Sequence, residues 1–118
     1  MTNIQFLKMH GLGNDFVIID NRKHMLNLSA SQIRGLSNRK RGIGCDQLIT
    51  MEISKTNADI KMRIYNSDGS EVGACGNAAR CIGRLMMDEK NNTQVQIEAM
   101  DRVLLATRSN ELISVNMG

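Results

Sequence analysis

Proline and tryptophan are absent from this chain, and Phe6, Phe16 and Tyr65 are its only aromatic residues. With so few rings, the core has to be built from Ile, Leu, Val and nine Met, adaptable side chains that fill irregular gaps. No run reaches the roughly 18 apolar residues that a membrane-spanning helix needs. The opening Met-Thr-Asn-Ile-Gln-Phe has no basic segment followed by an apolar one, so no secretory signal is expected. Cysteine is scarce too. Cys45, Cys75 and Cys81, with no signal before them, read as reduced thiols of a cytoplasmic protein. Nor is there a strong excess of either charge. Fifteen Lys and Arg against twelve Asp and Glu give a formal +3, which carries no argument for a nucleic-acid partner. The one basic run, Asn38-Arg39-Lys40-Arg41, has no aromatic interleaved and reads as a solvated turn rather than a single-strand groove.

What is present fits one globular domain. The length of 118 residues suffices for a modest core, and 42% apolar with 23% charged residues excludes a disordered tail. Residues 4–9 read as a strand, 10–15 as a Gly-rich turn, and 16–20, rich in β-branched side chains, as a buried strand. Ser29 is a cap candidate for a helix over about 30 to 38. A strand over 47–52 follows the loop at 41–46. In the next strand, over 59–65, Ile60, Met62 and Ile64 alternate with Lys61 and Arg63, and Asp68-Gly69 marks a tight turn. From Cys75 the period changes. Ala78, Ala79, Ile82, Leu85 and Met86 fall on one helical stripe that stops at Asn91-Asn92. Strands over 95–99, 103–106 and 112–115 complete seven or eight strands and two helices. The chain stops directly after a predicted strand, which fits a truncated chain or half of a larger protein.

The stretch richest in chemistry is Gly73-Ala74-Cys75-Gly76-Asn77-Ala78-Ala79-Arg80, a thiol at the start of a predicted helix. A helix start offers free N–H groups and the positive end of the macrodipole, which hold a carboxylate and stabilise a thiolate alike. A carboxylate held there puts its α-carbon beside the thiol, an acid/base arrangement. The plainer alternative is a Cys serving as a small buried hydrophobe, and spacing alone leaves Cys75 open between the two. Within a helix, residues six apart point about 120° from each other and sit roughly 9 Å apart along the axis. That spacing argues against a metal or disulfide shared by Cys75 and Cys81, provided both lie inside the helix. Cys81 reads as helix core, and no metal site is expected. Gly11-Leu12-Gly13-Asn14 fails as a dinucleotide turn, because a strand follows it rather than a helix. The isolated His10 and His24 read as structural.

Three stretches carry a family resemblance. They are Lys8-Met9-His10-Gly11-Leu12-Gly13-Asn14-Asp15-Phe16, then Gly42-Ile43-Gly44-Cys45-Asp46-Gln47-Leu48, and last Tyr65-Asn66-Ser67-Asp68-Gly69-Ser70-Glu71 running into Ala74 to Cys81. In order and spacing they resemble the diaminopimelate epimerase family from residue 4 to the end. The resemblance implies an α+β fold in which a mixed, largely antiparallel sheet curls like a barrel around a central helix. Residues 1–118 would be the N-terminal one of two such domains, with substrate in the cleft between them and the C-terminal domain absent from this chain. Such enzymes interconvert LL- and meso-diaminopimelate, on the route to lysine and peptidoglycan, without pyridoxal phosphate, metal or other cofactor.

By the same resemblance, two thiols work from opposite faces, and Cys75 is one of them, the proton donor for one direction. Gly76 and Asn77 would offer N–H groups to the α-carboxylate. Asn14, Gln47 and Asn66 match positions that hydrogen-bond the amino and carboxylate ends of the substrate. The second Cys, and the Arg and Glu that grip the distal centre, belong to the absent domain, so the chain alone is expected to be inactive. Cys45 is a poor substitute, since its position is not a Cys in many members. Two departures stand out: Ala78 where many members have Gly, and Met100-Asp101 where many have Asn-Gly. The alternatives are another isomerase of this architecture, proline racemase-like or phenazine-biosynthesis-like, and a ligand-binding half-domain without catalysis. A lone half would also expose its cleft face, which invites a homodimer.

Overall fold

Alternation along the strands decides how this chain folds. The computed structural model describes residues 5–23, 26–100 and 102–117. Among these, the order is β1 (Leu7–Gly11), β2 (Asn14–Asp20), α1 (Ala30–Ser37), β3 (Gln47–Glu52), β4 (Ile60–Asn66), β5 (Glu71–Val72), α2 (Gly76–Lys90), β6 (Gln94–Glu98), β7 (Val103–Ser109) and β8 (Leu112–Asn116). They form one sheet ordered β1-β2-β3-β4-β6-β7-β8, with β5 on the β4 edge. The β2–β3 and β4–β6 pairs are parallel, and the other five pairings are antiparallel. Helix α2 packs against β1, β4, β6, β7 and β8, and so touches both ends of the strand order. The sheet therefore curls around it, as expected.

Strands β2, β3 and β4 divide their side chains between two cores. Phe16 and Ile18 of β2, Ile49 and Met51 of β3, and Ile60, Met62 and Ile64 of β4 face α2 and bury completely or nearly so. The intervening Val17, Ile19 and Leu48 face outward and are covered by Ile33 of α1 and by Cys45. The buried face of α2 is wider than the expected stripe. Gly83 and Met87 are buried along with Cys81, which was expected in the core, and Leu85 is half-exposed, because the curled sheet meets the helix on several sides. Gly83 lets that approach happen, since a Cβ there would lie 2.7 Å from Ala106 Cβ.

The helix limits follow from local chemistry. Ser29 caps α1 with a full capping box. Its hydroxyl accepts from Gln32 N at 3.1 Å, and its own N–H donates to Gln32 Oε1 at 2.8 Å. Asn91, left-handed at φ +54°, ends α2. The first hairpin departs from expectation. β1 runs over Leu7–Gly11 instead of 4–9 (residue 4 lies outside the described residues), and the six-residue turn shrinks to Leu12-Gly13. Both of those residues have positive φ, +48° and +91°, the two-residue hairpin geometry whose twist matches that of its strands. His24 and Asp101 lie outside the described residues, and the hairpin carrying Met100 closes with Ala99 N donating to Arg102 O at 2.8 Å.

Candidate active site

The face that a strand residue belongs to follows its parity. Asn14 shares parity with Phe16, Gln47 with Ile49, and Asn66 with Ile64, so all three carboxamides belong to the α2 face of the sheet. They gather at one end of it. Gln47 and Asn66 are direct cross-strand partners, and Gln47 Nε2 donates to Asn66 Oδ1 at 3.3 Å. Gln47 Oε1 is buried and has no hydrogen-bond partner, an acceptor left for something else. Asn14 pairs with Gly11, and a Cβ on Gly11 would lie 3.8 Å from the Asn77 carbonyl and 3.5 Å from Cys81 Sγ. The first turn of α2 thus lies against that hairpin.

Cys75 reaches the same end by way of a tight turn. Asn66 N donates to Ser70 O at 2.8 Å, Gly69 N donates to Asn66 O at 2.9 Å, and Gly69 takes φ +93°. Strand β5 then pairs back on β4, Tyr65 opposite Glu71, and releases the chain into α2. Cys75 is the residue before the helix, in an extended conformation, and its side chain makes no capping bond. Its carbonyl accepts the first helical bond, from Ala79 N at 2.9 Å. The opening N–H groups of α2 therefore have neither an intrahelical acceptor nor a side-chain cap. Cys75, Gly76 and Asn77 are all half-buried, accessible from the open end. Arg80 Nη1 donates to Asn77 Oδ1 at 3.0 Å and fixes that amide.

The other thiols are built differently. Cys81 is 6% exposed, and burial pushes its thiol up, with Arg84 opposing and Cys75 adding to the rise. Cys45 packs in the outer core, its Sγ 3.5 Å from Ser37 Oγ, on the sheet face opposite the carboxamides. All three are free thiols. His10 is exposed and lies opposite Asp15 across the β1–β2 ladder, on the outer parity. Among the described residues, no three His, Cys, Asp or Glu are grouped to hold a metal ion, and no helix is long and apolar enough to cross a membrane.

One cluster escaped the sequence reading. Asp15 and Asp46, each next to a candidate site residue, donate their N–H groups to each other's carboxylates, at 3.0 and 2.8 Å. Arg39, read as part of a solvated run, forks onto both carboxyls of Asp15 and Asp46. The signal available was the position of each Asp, flanking Asn14 and Gln47. Two surface clefts lie apart from Cys75 and the carboxamides, the second of them against this cluster. One, of about 320 Å³, is lined by Phe6, Leu7 and Leu85 among others; a second, of about 530 Å³, is lined by Arg34, Arg39, Cys45 and Asp46 among others. Neither includes Cys75 or the three carboxamides.

A helix wrapped by a curled mixed sheet is the architecture of a group of solved isomerase and biosynthetic proteins. Methylitaconate-delta-isomerase superposes with a TM-score of 0.69 at 17% identity, over 92% of this chain and 35% of that one. The Bacillus anthracis phenazine biosynthesis protein of the PhzF family gives 0.60 at 18% identity, over 95% and 37%. At such identities the likeness establishes the fold. The family comes from sequence: the family model described as diaminopimelate epimerase matches residues 6–118. Curated diaminopimelate epimerases are similar as well. That of Phenylobacterium zucineum is 47% identical over 114 residues, 96% of this chain and 41% of that protein. That of Sphingopyxis alaskensis is 55% identical over 82 residues, 70% of this chain and 30% of that protein. This chain belongs to the diaminopimelate epimerase family. It spans about two fifths of the length of the first curated relatives it matches.

Proposed function

We propose that this chain supplies one thiol face of a cofactor-independent epimerase that interconverts LL- and meso-diaminopimelate in the cytoplasm, for lysine and peptidoglycan precursors. One observation carries the reading. Cys75 stands at the uncapped start of α2, at the sheet end where Asn14, Gln47 and Asn66 share a face. The N–H groups of Gly76 and Asn77 bind the α-carboxylate, and the carboxamides take the remaining amino and carboxylate groups.

The chemistry needs no redox partner. A thiolate on one face takes the α-proton, and the electron pair left on carbon delocalises into the α-carboxylate. The opposing thiol then donates its proton to the other face, so one C–H bond breaks as another forms. Charge that develops on the carboxylate is stabilised by fixed N–H donors, each worth about 3 kcal/mol in comparable oxyanion sites. In this reading Cys75 is the donor in one direction and the base in the other.

Inversion needs thiols on both sides of the carbon. Cys81 and Cys45 are buried and belong to the packed cores. The opposing Cys therefore comes from a second, C-terminal domain, which closes on the open sheet end, and residues 1–118 act as the N-terminal domain. A second copy of this chain on the same face is the competing occupant.

The test is exchange of the α-proton of diaminopimelate in deuterated water, followed by NMR. Mixed with the C-terminal segment of a family member, the chain is expected to exchange and epimerise, and Cys75→Ala is expected to abolish both. Exchange that survives Cys75→Ala overturns the thiol assignment, and full turnover by the chain alone overturns the two-domain requirement.

A further inference from the structure

The parallel junction of β2 and β3 poses a problem that a hairpin would not. Its register begins at Phe16 opposite Gln47, yet the connection between the two strands runs through α1 and two loops. Nothing local to a turn can set it. The candidate site depends on that register, because Asn14 and Gln47 stand on opposite sides of the junction.

We infer that Asp15, Asp46 and Arg39, with Lys8, form a positioning clamp that sets Asn14 and Gln47 for substrate. The two backbones are tied reciprocally. Asp15 N donates to Asp46 Oδ2 at 3.0 Å, while Asp46 N donates to Asp15 Oδ1 at 2.8 Å and lies 3.1 Å from the Asp15 carbonyl. Two facing carboxylates repel unless cations are interposed. Arg39 supplies one. Its Nη1 donates to Asp15 Oδ2 at 3.0 Å, and its Nη2 donates to Asp15 Oδ1 at 2.9 Å and Asp46 Oδ1 at 3.1 Å. Lys8 supplies the other, with Nζ 3.1 Å from Asp15 Oδ2 and donating to the Gly44 carbonyl at 2.5 Å. Two cations thus balance two anions, and the fork fixes direction as well as charge.

Parity separates the clamp from the substrate. Lys8 lies opposite Val17, and Asp15 and Asp46 alternate with Asn14 and Gln47, so the charged groups occupy the α1 face while the carboxamides occupy the α2 face. The clamp touches no ligand on the α2 side. It acts through one backbone step on each strand, which makes these positioning residues. The inference rests on the epimerase reading for what the carboxamides bind, though not for the clamp itself.

Arg39 has an exposed side chain, 56%, so Arg39→Gln removes the fork without opening the core. The test follows the side-chain amide resonances of Asn14 and Gln47 by NMR in the 118-residue chain mixed with the C-terminal segment of a family member, with diaminopimelate as titrant. In Arg39→Gln both resonances are expected to shift and broaden, while the backbone amides of Gln96 and Arg108 on the far hairpin stay in place. Half-saturation should need about tenfold more diaminopimelate than in the parent, with partial recovery in Arg39→Lys. Carboxamide resonances that do not move in Arg39→Gln overturn the clamp. If they move in the variant but ignore diaminopimelate in the parent, the epimerase reading fails and the clamp stands.

Discussion

Gln47 and Asn66 face each other across β3 and β4, Nε2 to Oδ1 at 3.3 Å, and the other end of the Gln47 amide is buried without a partner. A buried acceptor that stays unpaired costs about 1–3 kcal/mol of its lost hydration. A core designed for stability alone would place an apolar side chain there. On the epimerase reading proposed above, the unpaired oxygen makes Gln47 a position where binding and stability compete.

That competition can be measured. Gln47→Leu removes the orphaned acceptor and keeps most of the volume, so its urea midpoint is expected to match or exceed the parent's. Its affinity for diaminopimelate should fall at least about tenfold, the loss expected when a bound polar group meets no partner. A midpoint well below the parent's, with affinity intact, makes Gln47 a structural residue.

The packing of α2 gives a second prediction. Gly83→Ala gains up to about 1 kcal/mol of helix propensity but places its methyl 2.7 Å from Ala106 Cβ. Overpacking of this kind costs about 1–3 kcal/mol, so the variant should be less stable. Adding Ala106→Gly removes the atom in the way. In denaturant melts the double variant should lose less than the sum of the two single losses; strict additivity would show that the contact does not limit packing.

Much of the fold was legible because it is local. Strand β3 was expected at its observed limits, and β4 within one residue, since alternation of Ile60, Met62 and Ile64 needs only neighbours to read. Helix α1 announced itself through Ser29, and α2 through the stripe from Ala78 to Met86 and the Asn pair at its end. The tight hairpin did not, because Leu12 adopts a left-handed conformation that its side chain disfavours. The site divides in the same way. Cys75, Gly76 and Asn77 are adjacent in sequence, and a helix start is readable. That Asn14, Gln47 and Asn66 share a face depends on the pairing of three strands, so only the family resemblance pointed to them. The clamp joins residues 24 and 31 positions apart, and no spacing pattern carries that.

Acid should weaken the clamp. The Arg39 fork holds the Asp15 carboxyl well below the usual carboxylate range, against the opposing cost of burial and with help from the Asp46 N–H and Lys8. Its folded value is depressed, so its contribution is complete above the unfolded value of about 4 and is lost as pH falls below it. Between pH 7 and pH 3 the urea midpoint of the parent should therefore drop more than that of Asp15→Asn, which starts lower. Equal drops would mean that Asp15 is not linked to folding.

The three thiols should sort by chemistry as their surroundings differ. Cys75 stands half-buried outside the first turn of α2, whereas Cys45 and Cys81 are 2% and 6% exposed and packed among apolar side chains. A short pulse of iodoacetamide on the folded chain, read by peptide mass spectrometry, should label Cys75 first and the other two only as denaturant is added. Substitution should separate the roles in the same order. Cys75→Ala removes a side chain that makes no capping bond, and its midpoint should stay near the parent's. Cys81→Ala opens a small cavity beneath the hairpin and should cost roughly 1–2 kcal/mol, leaving Cys75 reactive. Labelling of Cys81 ahead of Cys75 would reverse the assignment, because the accessible thiol at the helix start would not be the one that chemistry reaches.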